Sequence, residues 1–179
     1  TEGLDGLGKR LVEYYQMGAR FTKWRAVITI GEGIPSEACL HANAFLLARY
    51  ASISQENGMV PFVEPDVLLD GNHTIEKCQE VTSRMLEMTF AELFRQQVHL
   101  EGILLKPNMV LPGKDCADQA NLEKVADLTA QTLRRHVPAA VPGIVFLSGG
   151  QGALPSTERL NAIVQRGPFP WQVSFSYLR

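Results

Sequence analysis

The stretch "EGILLKPNMV" (101–110) sets Lys106 directly after Ile103, Leu104 and Leu105 and follows it at once with proline. A buried, unpaired ammonium is costly, so a lysine in such a run is neutralised, paired or put to work. Side chains alternate across a strand, so parity sorts the candidates that could meet it. In "ARFTKWR" (19–25), Lys23 and Arg25 share a face with Phe21. In "MVPFVEP" (59–65), Glu64 shares one with Phe62 and Val60. In "GIVFLSG" (143–149), Ser148 falls with Phe146 and Ile144, while Lys106 falls with Leu104 and Asn108. If those faces turn toward one interior, Lys23, Glu64 and Lys106 converge from three consecutive strands. An enclosed ammonium beside a second cation gives up its proton more readily, and a neutral amine attacks a carbonyl to form an iminium. Glu64 can then shuttle the protons of carbinolamine dehydration. Taken alone, each lysine reads as a surface or snorkelling residue and Glu64, before Pro65, as a loop cap. The conjunction of three matched strand ends points to chemistry.

A second set handles anions. In "FLSGGQG" (146–152), Ser148 and the amides of Gly149 and Gly150 can form a concave nest of N–H groups around a phosphate just past a strand. Arg179, two residues past Tyr177, can add a bidentate contact to the same phosphate; its alternative is an exposed terminal arginine. By itself the glycine pair is an ordinary turn. The four histidines (His41, His73, His99, His136) have no metal-ligand spacing, so no metal is assigned.

Five short apolar segments, 19–25, 59–65, 101–107, 143–149 and 171–177, have the look of strands buried on both faces. Helical patterns separate them. One runs over 36–57 from an N-cap at Ser36 to a C-cap at Gly58, a second over 74–97 from Thr74, and a third over 121–136 from Asn121. A shorter helix is expected from Ser156 to Gln165, and another over 4–17. Strands alternating with helices imply right-handed βαβ units and a parallel sheet. Polar candidates at nearly every strand end suit a (β/α) barrel, and the Gly-rich turn of a doubly wound nucleotide fold is missing. A whole barrel needs eight strands and roughly 250 residues. The 179 residues hold five. The expected fold is α/β, one domain over 1–179 forming the C-terminal part of a TIM barrel; the start at "TEGLDGLGKRL", with no methionine, fits a chain that begins partway into a longer protein.

A formal net charge of −2 gives no basic field for nucleic acid or an anionic membrane. No apolar run is long enough to cross a bilayer, and three cysteines (Cys39, Cys78, Cys116) without CxxC spacing read as reduced intracellular thiols. A cytoplasmic protein is expected.

The segments "FTKWR", "ARYASISQENGMVPFVEPDVLLDG", "LEGILLKPNMVLPG", "TLRRHVPAAVPGIVFLSGGQ" and "FSYLR" resemble the class I fructose-1,6-bisphosphate aldolases, in the family's order and from end to end of the chain. The resemblance implies a metal-independent (β/α) barrel enzyme, homotetrameric when complete, that reversibly cleaves fructose 1,6-bisphosphate into dihydroxyacetone phosphate and glyceraldehyde 3-phosphate in glycolysis. It implies that Lys106 is the Schiff-base nucleophile, that Glu64 is the acid and base of imine formation and hydrolysis, and that Lys23 assists with charge and protons. Ser148, Gly149, Gly150 and Arg179 match the site for the ketone-side phosphate, and Arg25 goes with the other phosphate. Two residues depart from the family: Asp66 where many relatives have Glu, and Leu178 where "FSYGR" is usual. The resemblance also implies that three N-terminal strands, bearing a further aspartate and lysine, and a tail with a tyrosine are lacking here. The rival reading is a catalytically inactive aldolase-like fragment that serves as a binding or interaction module.

Overall fold

A computed structural model describes residues 2–177. After a 3₁₀ turn, helix α1 (Leu7–Gln16) leads into strand β1 (Phe21–Ile28), helix α2 (Glu37–Glu56) and strand β2 (Val60–Val67). Helix α3 (Ile75–Arg95), strand β3 (Leu104–Leu105), helix α4 (Leu122–His136), strand β4 (Gly143–Phe146), helix α5 (Ala153–Val164) and strand β5 (Gln172–Phe175) follow. The three N-caps read from the sequence are in place. Ser36 accepts from the Cys39 amide at 3.2 Å, Thr74 from Lys77 at 3.2 Å and Asn121 from Lys124 at 2.9 Å, each satisfying an amide the helix cannot. Helix α5 begins earlier than expected. Ser156 lies inside it with its hydroxyl turned back to the Gly152 carbonyl at 2.8 Å, and Pro155 is accommodated because the first helical turn needs no amide from it.

The five strands are all parallel and lie in the order β1-β2-β3-β4-β5. Spatial order equal to chain order has no reversal, which distinguishes a barrel wall from a doubly wound sheet. One face carries the helices: Ile28, Val63, Leu105 and Ile144 are fully buried there, in one core with Ala44, Leu47, Met85 and Leu93. The other face is bare. Phe21 is 60% exposed and Val60 is 40% exposed, with the Phe21 and Phe62 rings 4.9 Å apart. Among the described residues the chain is thus an α/β fold of five parallel strands alternating with helices.

Strand limits differ from the sequence reading where backbone donors run out. The third strand is two residues long, because a 3₁₀ turn over Leu100–Gly102 takes its first half and Pro107 has no amide to continue it. The Lys106 amide still bonds to the Val63 carbonyl at 2.8 Å, and the Leu147 amide to that of Pro107 at 3.2 Å. These short ladders also overturn two parity assignments. Ile144 pairs in register with Leu105, and both Ile144 and Phe146 are fully buried on the helix side; the alternation ends at Phe146, so Ser148 does not share their face. Asn108 likewise parts from Lys106. Its amide donates to Thr82 Oγ1 of α3 at 3.1 Å while its Oδ1 accepts from the Val67 amide at 3.2 Å.

Candidate active site

Parallel strands deliver their C-terminal ends to one rim, and the residues of interest collect there on the bare face. Lys23 and Arg25 project from β1, Glu64 and Asp66 from β2, Lys106 from the residue after β3, and Ser148–Gly150 from the turn after β4. They line a cavity of about 510 Å³.

Glu64 is the pivot. Its carboxylate is buried and has one oxygen for each lysine: Oε1 lies 3.1 Å from Lys106 Nζ and Oε2 3.1 Å from Lys23 Nζ. The two lysines differ in exposure, with the Lys106 side chain 6% accessible and that of Lys23 46%. The expected meeting of three strand ends is therefore observed, with the carboxylate between the cations. A carboxylate in hydrogen-bond reach of an enclosed amine is placed to take and return its protons.

Arg25 is held by a neighbour the sequence reading had not assigned to the site. Its Nε lies 2.8 Å and its Nη2 2.6 Å from Asp66 Oδ2, while Asp66 is 1% exposed. Burial raises the Asp66 carboxyl above the ordinary aspartate value, with Arg25 pulling it back. The short side chain still reaches Arg25 because Asp66 lies opposite Val27 in the parallel register, two residues beyond the Arg25–Glu64 pair and on the same face.

The turn after β4 has the backbone its glycines suggest: Gly149 and Gly150 both take positive φ (59° and 83°), which side chains strain to adopt. Ser148 lines the cavity beside them. Tyr177 also lines it, and its hydroxyl donates to the Ser156 carbonyl at 3.0 Å. Arg179 and Leu178 lie outside the described residues.

Sequence reasoning passed over Lys114 and Asp70, which stand on the rim and line the same cavity. Their signal was position alone: both occupy connections that follow barrel strands, and those connections build such sites. Among the described residues, no group of three or more His, Cys, Asp or Glu side chains is assembled as a metal site. No helix among them is long and apolar enough to cross a membrane.

Residues 1–179 match the family model described as glycolytic fructose-bisphosphate aldolase class-I. A probable fructose-bisphosphate aldolase class 1 of Xanthomonas campestris is 58% identical over 179 residues, covering 100% of this chain and 54% of that protein. The cytosolic fructose-bisphosphate aldolase 4 of Arabidopsis thaliana is 56% identical over 180 residues, 100% of this chain and 46% of that one. A chloroplastic fructose-bisphosphate aldolase of rice is 54% identical over 178 residues. Among solved structures, the fructose-bisphosphate aldolase of Plasmodium falciparum, crystallised with TRAP and a small-molecule inhibitor, superposes with a TM-score of 0.95 at 50% identity. That match covers 97% of this chain and 51% of the other. The chain spans about half the length of the curated relatives it matches.

Proposed function

The chain belongs to the class I fructose-bisphosphate aldolase family, and we propose that its residues carry the Schiff-base half of the reversible cleavage of fructose 1,6-bisphosphate. The observation that supports this most is the Glu64 carboxylate held 3.1 Å from both Lys106 and Lys23 in one cavity. In this reading the neutral Lys106 amine attacks the C2 carbonyl of the ketose, giving a carbinolamine. Glu64 donates the proton that lets water leave, and a protonated imine forms between Lys106 and C2. When the C4 hydroxyl loses its proton, the C3–C4 bond breaks. Its electron pair passes into the imine as an enamine, and glyceraldehyde 3-phosphate departs. Protonation of C3 and hydrolysis of the imine, with Glu64 now acting as base toward water, release dihydroxyacetone phosphate and the free lysine. Lys23 balances charge on Glu64 through the cycle.

Phosphates orient the substrate. The Ser148–Gly150 turn holds the one on the ketone side, with Arg179 as its further cation, and Arg25 serves the other. The reaction takes no metal, since the imine is the electron sink. The complete protein is read as a cytoplasmic homotetramer of glycolysis. For residues 1–179 by themselves, the bare face and outer strands favour the second reading, an inactive module that associates through those surfaces.

Borohydride reduction in the presence of dihydroxyacetone phosphate tests the assignment in a full-length chain carrying these residues. Peptide mapping is expected to find the adduct on Lys106. An adduct on another lysine sinks the reading, as does activity abolished by EDTA and restored by zinc.

A further inference from the structure

The charges lining the cavity differ in how firmly they are held. Glu64 and Asp66 are buried and keep Lys23, Lys106 and Arg25 as partners. The remaining pair, Lys114 Nζ to Asp70 Oδ1 at 3.2 Å, has both side chains in solvent, 50% and 66% exposed. An exposed pair of that kind contributes little, so Lys114 is the cation that can change partner at least cost.

Its backbone does not move with it. The connection after β3 is bonded to the connection after β2 by three amides: Gly113 to the His73 carbonyl at 2.8 Å, Lys114 to Leu69 at 2.8 Å and Asp115 to Gly71 at 2.9 Å. The approach is so close that a Cβ on Gly113 would lie 2.2 Å from the Gly71 oxygen. This clasp aims the Lys114 side chain across the rim at the turn after β4. There its Nζ stands 3.1 Å from where a Cβ on Gly150 would sit, and its Cε 3.5 Å. A flexible ammonium thus stands over the two positive-φ glycines whose turn is read as the ketone-side phosphate nest.

We propose that Lys114 is a further phosphate-binding residue. It leaves Asp70 when a phosphomonoester dianion enters the Ser148–Gly150 turn, and so favours a doubly charged phosphate over an uncharged ketose. Asp70 holds the ammonium in readiness and competes with the incoming anion for it. This rests on the aldolase reading for the identity of the substrate, but the phosphate step is measurable without it.

Three variants of a full-length chain test the exchange, with inorganic phosphate titrated by calorimetry and fructose 1,6-bisphosphate cleavage measured beside it. Lys114→Gln is expected to weaken phosphate binding about 10-fold, as loss of one charge-assisted contact does, and to raise KM more than it lowers kcat. Lys114→Arg is expected to restore most of the affinity. Asp70→Asn is expected to tighten phosphate binding, because the competitor is gone. A pair that only braced the rim would make Lys114→Gln and Asp70→Asn fail together. That result, or unchanged phosphate affinity in Lys114→Gln, overturns the proposal. Borohydride trapping on Lys106 in the same samples keeps the two readings apart: an adduct on Lys106 with unchanged phosphate affinity removes Lys114 and leaves the aldolase reading standing. Lost phosphate affinity in Lys114→Gln with the adduct on another lysine does the reverse.

Discussion

On the helix-covered face of the sheet, the polar side chains that bond the strands are uncharged, and the buried Glu92 of α3 pairs with Arg95 and His41. Thr22 Oγ1 lies 2.6 Å from Tyr50 Oη and 2.9 Å from Ser54 Oγ, and the Val110 amide donates to Thr129 at 3.0 Å, all among fully buried Ile28, Val63 and Leu105. On the bare face, alternate residues of the same strands are charged or exposed: Phe21, Lys23, Arg25 and Val27 in β1, Glu64 and Asp66 in β2. The first face is completed by this chain's own helices. The second is completed by whatever lies opposite, and its buried carboxylates rely on cations from neighbouring strands. Apolar burial is concentrated on one face and the charged residues of the proposed site on the other.

The sharpest way to break that division is to study residues 1–179 alone. With β1 and β5 at the ends of the strand order and Phe21 and Val60 facing solvent, we expect association or aggregation and no measurable fructose 1,6-bisphosphate cleavage. A monodisperse monomer in sedimentation with ordinary turnover would show that the bare face needs no completion.

A pair of substitutions in a full-length chain compares the faces directly. Glu64→Gln should lower the cleavage rate by about 10²–10⁴-fold, the usual yield of a positioned acid or base. Leu105→Ala should instead cost about 2–5 kcal/mol in chemical unfolding, as large-to-small core changes do, and leave the rate near its original value where the protein stays folded. Equal losses of rate in the two variants would mean that the faces are not functionally separate.

The smallest effect is expected at the rim, where the faces meet. His73 is 8% exposed, and burial pushes its imidazole below the ordinary 6.5, with the Leu111 backbone pulling the other way. The folded state then binds fewer protons than the unfolded chain as pH falls below about 6.5. Its stability is full above that value and declines toward lower pH. His73→Leu should flatten this acid-side decline in unfolding midpoints measured between neutral and mildly acidic pH. A decline equally steep in the variant would place its origin elsewhere.

Much of this was legible along the chain. Ser36, Thr74 and Asn121 announced their helices because a cap is a local bond between a side chain and an amide three residues on. The parallel sheet followed from alternation of strand and helix, and Lys23, Glu64 and Lys106 could be matched because strand ends in such a sheet face one rim. Parity misled for Asn108 and for the Ile144–Phe146 face. It holds only while the ladder lasts, and Pro107 and the end of β4 at Phe146 stop the ladder.

What sequence determined was thus the local and the periodic: caps, turns with positive-φ glycines, strand order and the residue types at strand ends. Only the tertiary structure decided which charge meets which. Glu64 divides its two oxygens between Lys106 and Lys23, Asp66 takes Arg25, and Lys114 reaches from one connection to the turn of another. Such pairings depend on register and on side-chain reach across strands separated by forty residues or so in the chain. A two-residue shift of register would exchange partners on the same face without altering any local pattern, whereas a one-residue shift would turn the whole set to the other face.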